Sequence, residues 1–371
     1  MTTRVVLHVG APKSGTTYLQ SVLRHNADRL AEAGVLVAGR RHVDLVHAGL
    51  VVREDPRVEQ LDPYAATAWE RVVAQVRGWT GSTVIVSYEL LAGAEADQAQ
   101  RAIADLAGTE VHVVFTARDF GRSVASAWQE RLKFAIPTPL EEWRPRQEED
   151  GPRAEWGWRT MDPSGVLARW GAGLEADHVH LVTVPGPGAA ADELWRRFAA
   201  ACGIAEVAVD LEQPVANESL GPASAEVLRR VNQALPDDFG GNREHARWLR
   251  DLLAHEILVP GRRGSLAISD EQFADALARS ERAIEAMRER GYQVHGDLAD
   301  LRATRPDGML PSDVPDAEVL DVAVDAVVQL LVRLREQTRR AERLEVTPMR
   351  LGRARRVLAR ARERLRPSRS R

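Results

Sequence analysis

Four short apolar runs, separated by longer stretches with helical periodicity, outline the core of this chain. Each run has the length of a β-strand, and the runs cover Val5 to Val9, Val84 to Val86, Val111 to Phe115 and Val179 to Val184. Strands that alternate with helices usually lie parallel in one sheet, because each helix carries the chain back to the same edge. The pattern therefore predicts an α/β fold with a mainly parallel sheet flanked by helices.

The stretch from Thr17 to Leu30, directly after the first strand, has a clear helical pattern. Its apolar positions share one helix face and are Leu19, Val22, Leu23 and Leu30. We expect this face to pack on the sheet. Further helices are predicted at 119–133, 190–203, 222–235, 243–256 and 270–290. Residues 135–163 are instead rich in proline, tryptophan and charge, which predicts a long surface excursion.

Three prolines between Arg302 and Pro315 divide the chain. We expect a main domain over residues 1–301, a linker over 302–315 and a helical extension with a basic tail over 316–371. In the extension, Ala317 to Leu344 predicts a helix whose apolar seam is Val324, Val327, Leu331 and Leu334. The seam can pack on the main domain, join two copies as a homo-oligomer or contact an acidic surface, and these alternatives stay open.

The net charge of −4 conceals two parts of opposite sign. Residues 350–371 carry ten arginines and one acidic residue, which gives the tail about +9 and leaves the rest about −13. The single cysteine, Cys202, excludes an internal disulfide framework and a cluster of thiolate ligands. No signal peptide and no long apolar run is evident, so a cytoplasmic protein is expected. We expect no nucleic-acid partner.

Lysine is rare in this chain, which makes the position of Lys13 informative. Only two of the fifty basic residues are lysines, and Lys13 lies in the turn that follows the first strand. Gly10 and Gly15 have the spacing of a Walker A loop, but Thr16 stands where that loop has its lysine. A strand, a glycine-bounded turn and a helix start direct backbone N–H groups at one anion. The turn therefore predicts anion binding, with weaker support for ATP hydrolysis.

The run Pro12-Lys13-Ser14-Gly15-Thr16-Thr17 resembles the first loop of the sulfotransferases that use 3'-phosphoadenosine-5'-phosphosulfate (PAPS). That loop has the form Pro-Lys-Ser/Thr-Gly-Thr-Thr. The resemblance implies that these six residues bind the 5'-phosphosulfate of PAPS and that Lys13 is the electrophilic catalyst. An ammonium beside the oxygen that bridges phosphate and sulfate stabilises the charge that develops as the S–O bond breaks. The reaction implied is in-line transfer of a sulfuryl group to a hydroxyl or amine, with no metal.

A second part of the same family pattern follows the strand Val111 to Phe115. Arg118 lies just after this strand, and Ser126 lies eight positions later, in the next predicted helix. In the family, an arginine and a serine with this separation bind the ribose 3'-phosphate. Arginine suits a phosphate because its planar fork donates two parallel hydrogen bonds. The resemblance covers the nucleotide-binding parts of residues 4–133 and implies that Arg118 and Ser126 bind PAPS. The continuation from Ser126 to Lys133 resembles bacterial members of the family.

Attack on sulfate by a hydroxyl needs a group that accepts the proton of the acceptor. In this family the base is a histidine or a carboxylate, and three candidates can be ranked. Glu89 is first, because it follows the strand Val84 to Val86 at the expected carboxyl edge of the sheet. His47 is second and Asp44 is third, because both lie in the stretch from which other members take a carboxylate. The structural alternatives are a capping role for Glu89 and an ordinary loop role for His47.

Lys133 and a short basic run near residue 262 each have more than one possible role. Lys133 either approaches the site or is a solvated residue at a helix end, and Arg262-Arg263-Gly264 resembles a loop that some members place on the 3'-phosphate. The acceptor is unidentified and is expected to be a small molecule or a glycan. Two other functions stay open, namely a Mg²⁺-dependent P-loop kinase or NTPase and a noncatalytic scaffold that carries the C-terminal helices.

Overall fold

A six-stranded parallel sheet forms the centre of the molecule. The computed structural model describes residues 3–39, 41–146, 155–212, 219–261 and 264–364. In chain order the strands are β1 (Arg4–Gly10), β2 (Val35–Val37), β3 (Thr83–Ser87), β4 (Glu110–Ala117), β5 (Val179–Thr183) and β6 (Gln293–His295). They lie in the order β2-β3-β1-β4-β5-β6, and every neighbouring pair is parallel. The predicted α/β fold is confirmed, and β2 and β6 are strands that the apolar runs did not predict.

Both faces of the sheet are buried, as the side chains of β1 illustrate. Val5 and Leu7 belong to one hydrophobic cluster, whereas Val6 belongs to the other. Val5 pairs with Val84 on β3 and with Val111 on β4, which places β1 in the middle of the sheet. Strands covered on both faces consist of continuous apolar residues, and this explains the runs in the sequence.

Helices cover both faces of the sheet. They are α1 (Thr16–His25), α2 (Ala27–Glu32), α3 (His42–Val52), α4 (Pro63–Ala66), α5 (Ala68–Gly78), α6 (Ala96–Ala104), α7 (Phe120–Leu132), α8 (Trp158–Met161), α9 (Pro163–Trp170), α10 (Glu193–Cys202), α11 (Pro222–Ala234), α12 (Asn242–Glu244), α13 (Asp270–Arg290) and α14 (Asp316–Arg364). A π-helical segment spans His245–Leu258, and 3₁₀ turns lie at Pro56–Gln60, Glu89–Gly93, Leu140–Glu142, Ala176–His178, Leu298–Leu301 and Pro311–Asp313. The helices predicted at 119–133, 190–203, 222–235 and 270–290 are confirmed.

The helix predicted from Thr17 to Leu30 is divided at Asn26 into α1 and α2. The Asn26 side chain donates to the Val22 carbonyl at 2.9 Å and to the Asp210 carbonyl at 2.8 Å. An asparagine that binds backbone groups in this way competes with the helix and favours a break. The four apolar residues predicted to face the sheet are buried in one cluster with Val6, as expected.

The segment 135–163 is not the surface excursion that its composition predicts. Trp143 and Trp158 are buried in the main hydrophobic cluster, and Trp158 stacks on Phe120 with 5.3 Å between ring centroids. The tryptophans therefore help to build the core. Residues 147–154 of this segment lie outside the described residues.

Residues 302–315, predicted as a linker, lie against the main domain. The Thr304 backbone N–H donates to the Asp119 carboxylate at 2.9 Å, and Met309 pairs with Leu266 in an isolated parallel bridge. The segment is thus fixed beside the first turn of α7. The division into a main domain, a linker and an extension stays a prediction.

α14 confirms the helix predicted at the C-terminal end and continues it into the basic tail. Val319, Val322 and Ala326 pack on the main hydrophobic cluster. The predicted seam lies on another face, and its members Val324, Val327, Leu331 and Leu334 are exposed. Self-association or contact with an acidic surface through the seam stays a prediction. Across the described residues, no helix combines the length and the apolar character needed to span a membrane.

Candidate active site

The turn between β1 and α1 is shaped by two glycines and by Lys13. The backbone φ angle is +148° at Gly10, +63° at Lys13 and +83° at Gly15. A Cβ atom on Gly10 would lie 2.9 Å from the Glu89 carbonyl oxygen, so the close approach of these two segments requires glycine. A positive φ at a lysine is uncommon, which indicates that the surrounding structure fixes the turn at Lys13.

α1 starts from this turn without a side-chain cap. Gly15 is its N-cap residue, no side chain accepts a hydrogen bond at the cap, and the first turn contains no acidic residue. Backbone N–H groups at an uncapped helix start attract an anion, and the helix dipole adds to the attraction. Thr16 is buried and Thr17 is exposed, so Thr17 is the threonine of this pair that is open to solvent.

Buried polar side chains form hydrogen bonds with backbone carbonyls of the turn. Ser14 Oγ donates to the Ala11 carbonyl at 2.6 Å, and Thr116 Oγ1 donates to the Gly10 carbonyl at 2.8 Å. Thr116 also lies 3.3 Å from His8 Nε2, and burial lowers the pKa of His8 to about 3. His8 is therefore neutral at physiological pH and acts as a hydrogen-bonding support. These contacts hold the backbone of the turn in its curved shape.

Arg118 joins the turn to the end of β4. One of its terminal nitrogens donates to the Lys13 carbonyl at 3.1 Å. Its Nε is buried and has no hydrogen-bond partner among the described residues. Burial and the neighbouring Arg122 lower the pKa of Arg118 to about 10, so the guanidinium keeps its charge at neutral pH. A buried, charged donor without a partner is costly, and an anion beside it would remove that cost.

Arg118 and Ser126 line the same cleft, together with Arg122 and Gly264. The cleft has a volume of about 500 Å³. Ser126 projects into it from the second turn of α7. The structure therefore brings Arg118 and Ser126 together in one cleft, and Arg118 connects this cleft to the turn through the Lys13 carbonyl.

Both lysines of the chain bind one carboxylate oxygen. The Nζ atoms of Lys13 and Lys133 each lie 2.9 Å from Glu130 Oε1. Lys133 is 1% exposed, so it is buried and is not the solvated helix-end residue that one alternative described. Glu130 was missed by sequence reasoning, although a glutamate in the last turn of a helix and a lysine three residues later, at its C-cap, form a recognisable ion-pair pattern.

The charges of this cluster explain the acidity of Glu130. Burial alone would raise the pKa of this carboxyl group, but the ammonium groups of Lys13 and Lys133 outweigh burial and lower the pKa to about 2. Glu130 is therefore ionised at physiological pH. With two ammonium groups and one carboxylate, the cluster carries a net charge of +1 beside the turn, which favours an anion there.

We expect Glu130→Gln to destabilise the protein by about 3 kcal/mol at pH 7, because its pKa falls from 4.5 to about 2 on folding. A depressed pKa adds stability that is complete above pH 4.5 and is lost as the pH falls to about 2. Because glutamine does not ionise, the free energy of unfolding of the variant should not show this decrease as the pH falls. Urea denaturation at several pH values measures both effects. Glu285→Gln, in an exposed pair with Arg288, is the matched control and should change stability by less than about 0.5 kcal/mol.

Glu89 lies at the carboxyl edge of the sheet, at the start of the 3₁₀ turn Glu89–Gly93. Its carboxylate accepts a hydrogen bond from Gln20 Nε2 at 2.7 Å, and its main chain lies against Gly10. Burial lowers the pKa of the nearby His42, while the Glu89 carboxylate acts in the opposite direction. Glu89 therefore lies beside the turn that carries Lys13, and the imidazole of His42 is near its carboxylate.

Asp44 and His47, the other two candidate bases, both lie on α3. Asp44 accepts hydrogen bonds at 3.1 Å from the backbone and the side chain of Arg41, and so caps α3. His47 is half-buried in the second turn of the same helix. The structure gives Asp44 a structural partner and places the main chain of Glu89 against Gly10 of the loop. Arg262 and Arg263 lie outside the described residues.

No protein-family model and no curated protein matches this chain. The solved structures that are similar to it include two sulfotransferases. A sulfotransferase from Alicyclobacillus acidocaldarius is 14% identical, with a TM-score of 0.36, and the match covers 68% of this chain and 98% of that one. The sulfotransferase domain from the curacin biosynthetic pathway is 12% identical, with a TM-score of 0.33, and the match covers 79% of this chain and 98% of that one. Both likenesses are too weak to assign an activity to this chain.

Proposed function

We propose that this protein is a sulfotransferase that moves a sulfuryl group from PAPS to a hydroxyl or amine of a small molecule or glycan. The observation that carries the proposal is the position of Arg118. It binds the backbone of Lys13 and lines the cleft with Ser126, and its buried Nε lacks a partner among the described residues. A phosphate oxygen in the cleft would supply that partner.

The residues of the site suit a nucleotide with two separate anionic ends. The uncapped start of α1 supplies backbone N–H donors for the 5'-phosphosulfate, and Arg118 and Ser126 supply charged and neutral donors for the 3'-phosphate. When bound, PAPS supplies the sulfuryl group and leaves as 3'-phosphoadenosine-5'-phosphate (PAP).

Lys13 and Glu89 have complementary roles in this proposal. The Lys13 ammonium has three N–H donors, so it can keep its bond to Glu130 while it stabilises the negative charge of the leaving oxygen. Glu89 accepts the proton of the attacking hydroxyl and is oriented by Gln20. Glu130 positions Lys13 through their ion pair.

The geometry gives less support to a Mg²⁺-dependent kinase. In a Walker A loop the lysine follows the second glycine and reaches the β- and γ-phosphates. Here Thr16 holds that position and is 2% exposed. The charge of the loop is instead supplied by Lys13, three residues earlier, on the opposite side of Gly15.

Calorimetry with PAP and with ADP tests the proposal. PAP should bind about 10- to 100-fold more tightly than ADP, because Arg118 forms a charge-assisted hydrogen bond with the 3'-phosphate. Arg118→Ala should remove most of this preference, whereas Arg196→Ala, an exposed arginine paired with Asp192 and Glu193, should leave it unchanged. Equal or tighter binding of ADP would exclude the proposed cofactor and favour a kinase. Binding of neither nucleotide would favour a noncatalytic scaffold.

A further inference from the structure

Four of the ten histidines in this chain meet at one end of the sheet. They are His112 on β4, His178 and His180 around the start of β5, and His295 on β6. Arg4, the first residue of β1, pairs with Glu110, whereas the candidate active site follows Gly10 at the other end of β1. Because a strand rises about 3.3 Å per residue, the histidine cluster lies roughly 20 Å from that site.

The histidines form a hydrogen-bonded chain that starts at a carboxylate. His112 Nε2 lies 2.7 Å from Glu110 Oε1, His112 Nδ1 lies 2.9 Å from His180 Nε2, and His180 Nδ1 lies 3.1 Å from His295 Nε2. A carboxylate only accepts, so the proton of neutral His112 is on Nε2 and its Nδ1 accepts from His180. Because Nε2 of His180 carries the proton that it donates to His112, Nδ1 of His180 is unprotonated and accepts from Nε2 of His295. Each imidazole then has one N–H, and the positions of all three protons are determined.

Three side chains at the carboxylate end present metal-ligand atoms to one another. The ligand atoms of Glu110, His112 and His178 lie within 4.8 Å of each other, and this is the only such group among the described residues. The rings of His112 and His178 are 4.3 Å apart between centroids. His112 is buried, while Glu110 and His178 are partly exposed, so an ion can reach the group from solvent.

We propose that Glu110, His112 and His178 bind a divalent first-row transition ion, for which Zn²⁺ is the best match. Two imidazoles and one carboxylate form a set that Zn²⁺ commonly takes, with water in the fourth position. Bond lengths of 2.0–2.1 Å in a tetrahedral site require ligand atoms about 3.3 Å apart. The partly exposed side chains of Glu110 and His178 can make this small contraction.

The histidine chain supplies the outer hydrogen bonds that such a site needs. A metal on His112 Nε2 requires the proton of that ring on Nδ1, where it donates to His180 Nε2. His180 in turn donates from Nδ1 to His295. Metal binding thus reverses the direction of the whole chain, while each ring keeps one proton. His180 and His295 therefore position His112 without binding the ion.

Two charged neighbours act on the site in opposite directions. Arg4 lies 3.4 Å from Glu110 Oε1 and opposes a cation there. Asp177 lies 3.9 Å from His178 Nε2 and favours one. Arg4→Gln should therefore tighten binding of the ion, and Asp177→Asn should weaken it.

Calorimetry with ZnCl₂ on the full chain, with any polyhistidine tag removed, tests the proposal, and Co²⁺ absorption reports the ligand geometry. We expect one ion per chain with a Kd of about 1 µM or less. Cys202 is buried, so its thiol does not compete. His178→Ala should weaken binding by more than about 100-fold, beyond the effect expected for loss of an outer hydrogen bond. Glu110→Gln should have a similar effect.

His25→Ala is the matched control, because His25 is also a surface histidine beside a carboxylate, that of Asp210, at 3.3 Å. It should leave the Kd unchanged within about twofold. His178 lies in a 3₁₀ turn at the surface, so its replacement should leave the fold intact even if the Glu110 variant does not. No binding at about 100 µM Zn²⁺, or undiminished binding by His178→Ala, would overturn the proposal. These outcomes are independent of whether the protein transfers sulfuryl groups.

Discussion

Lys13→Ala should lower kcat for sulfuryl transfer from PAPS by about 100- to 1000-fold, with a smaller change in KM. This is the usual cost of removing a single group that stabilises charge in the transition state. Lys13 has the required position, because it lies in the turn before the uncapped start of α1 and its carbonyl binds Arg118. Rates with PAPS and any acceptor that the unaltered protein uses would measure the effect.

Lys13 also contributes to the Glu130 ion pairs, so stability must be separated from catalysis. The free energy of unfolding of Lys13→Ala at pH 7 measures how much Lys13 contributes to stability. Lys13→Arg keeps the positive charge but replaces a compact ammonium by a planar fork, and we expect it to recover stability more fully than rate. A folded Lys13→Ala protein whose kcat lies within about threefold of the original would contradict the catalytic role.

Glu89→Ala should depress turnover by about 100- to 10,000-fold while leaving the affinity for PAP nearly unchanged. The carboxylate lies at the edge of the sheet where the loop begins, and Gln20 holds it in place. Loss of a base affects the chemical step, whereas the nucleotide is bound by other groups. Single-turnover rates and PAP calorimetry on the same preparation distinguish these two effects.

His47→Ala and Asp44→Ala provide the comparison within the same region. If Glu89 is the base, both variants should keep turnover within about tenfold, and Asp44→Ala should chiefly weaken the cap of α3 by about 1 kcal/mol. An active Glu89→Ala enzyme together with an inactive His47→Ala enzyme would move the base to His47.

The sheet and the loop could be predicted because their signals are local. β1, β3, β4 and β5 are buried on both faces, so each is a continuous apolar run, and the loop is marked by its glycines. β2 and β6 lie at the two edges of the sheet and have three residues each. Strands of three residues are too short to give a distinct apolar pattern. The tryptophans of 135–163 resemble surface residues in their polar surroundings, but the fold buries them.

The contacts that complete the candidate site depend on distant parts of the chain. The link between Lys13 and Glu130 requires α7 to pack beside the loop, and no sequence spacing encodes that distance. The histidine chain had a partial signal, because Glu110 and His112, like His178 and His180, are two positions apart and alternate residues share a face of a strand. Only the register of β4 with β5 shows that the two pairs meet.

The scarcity of lysine gives the chain an unusual chemical selectivity. A reagent that acylates amines finds only two side-chain targets, and the Lys133 side chain is 1% exposed, against 29% for Lys13. A single labelled side chain in this protein would therefore lie in the loop itself, and its protection by an added nucleotide would report occupancy of the site without any knowledge of the acceptor.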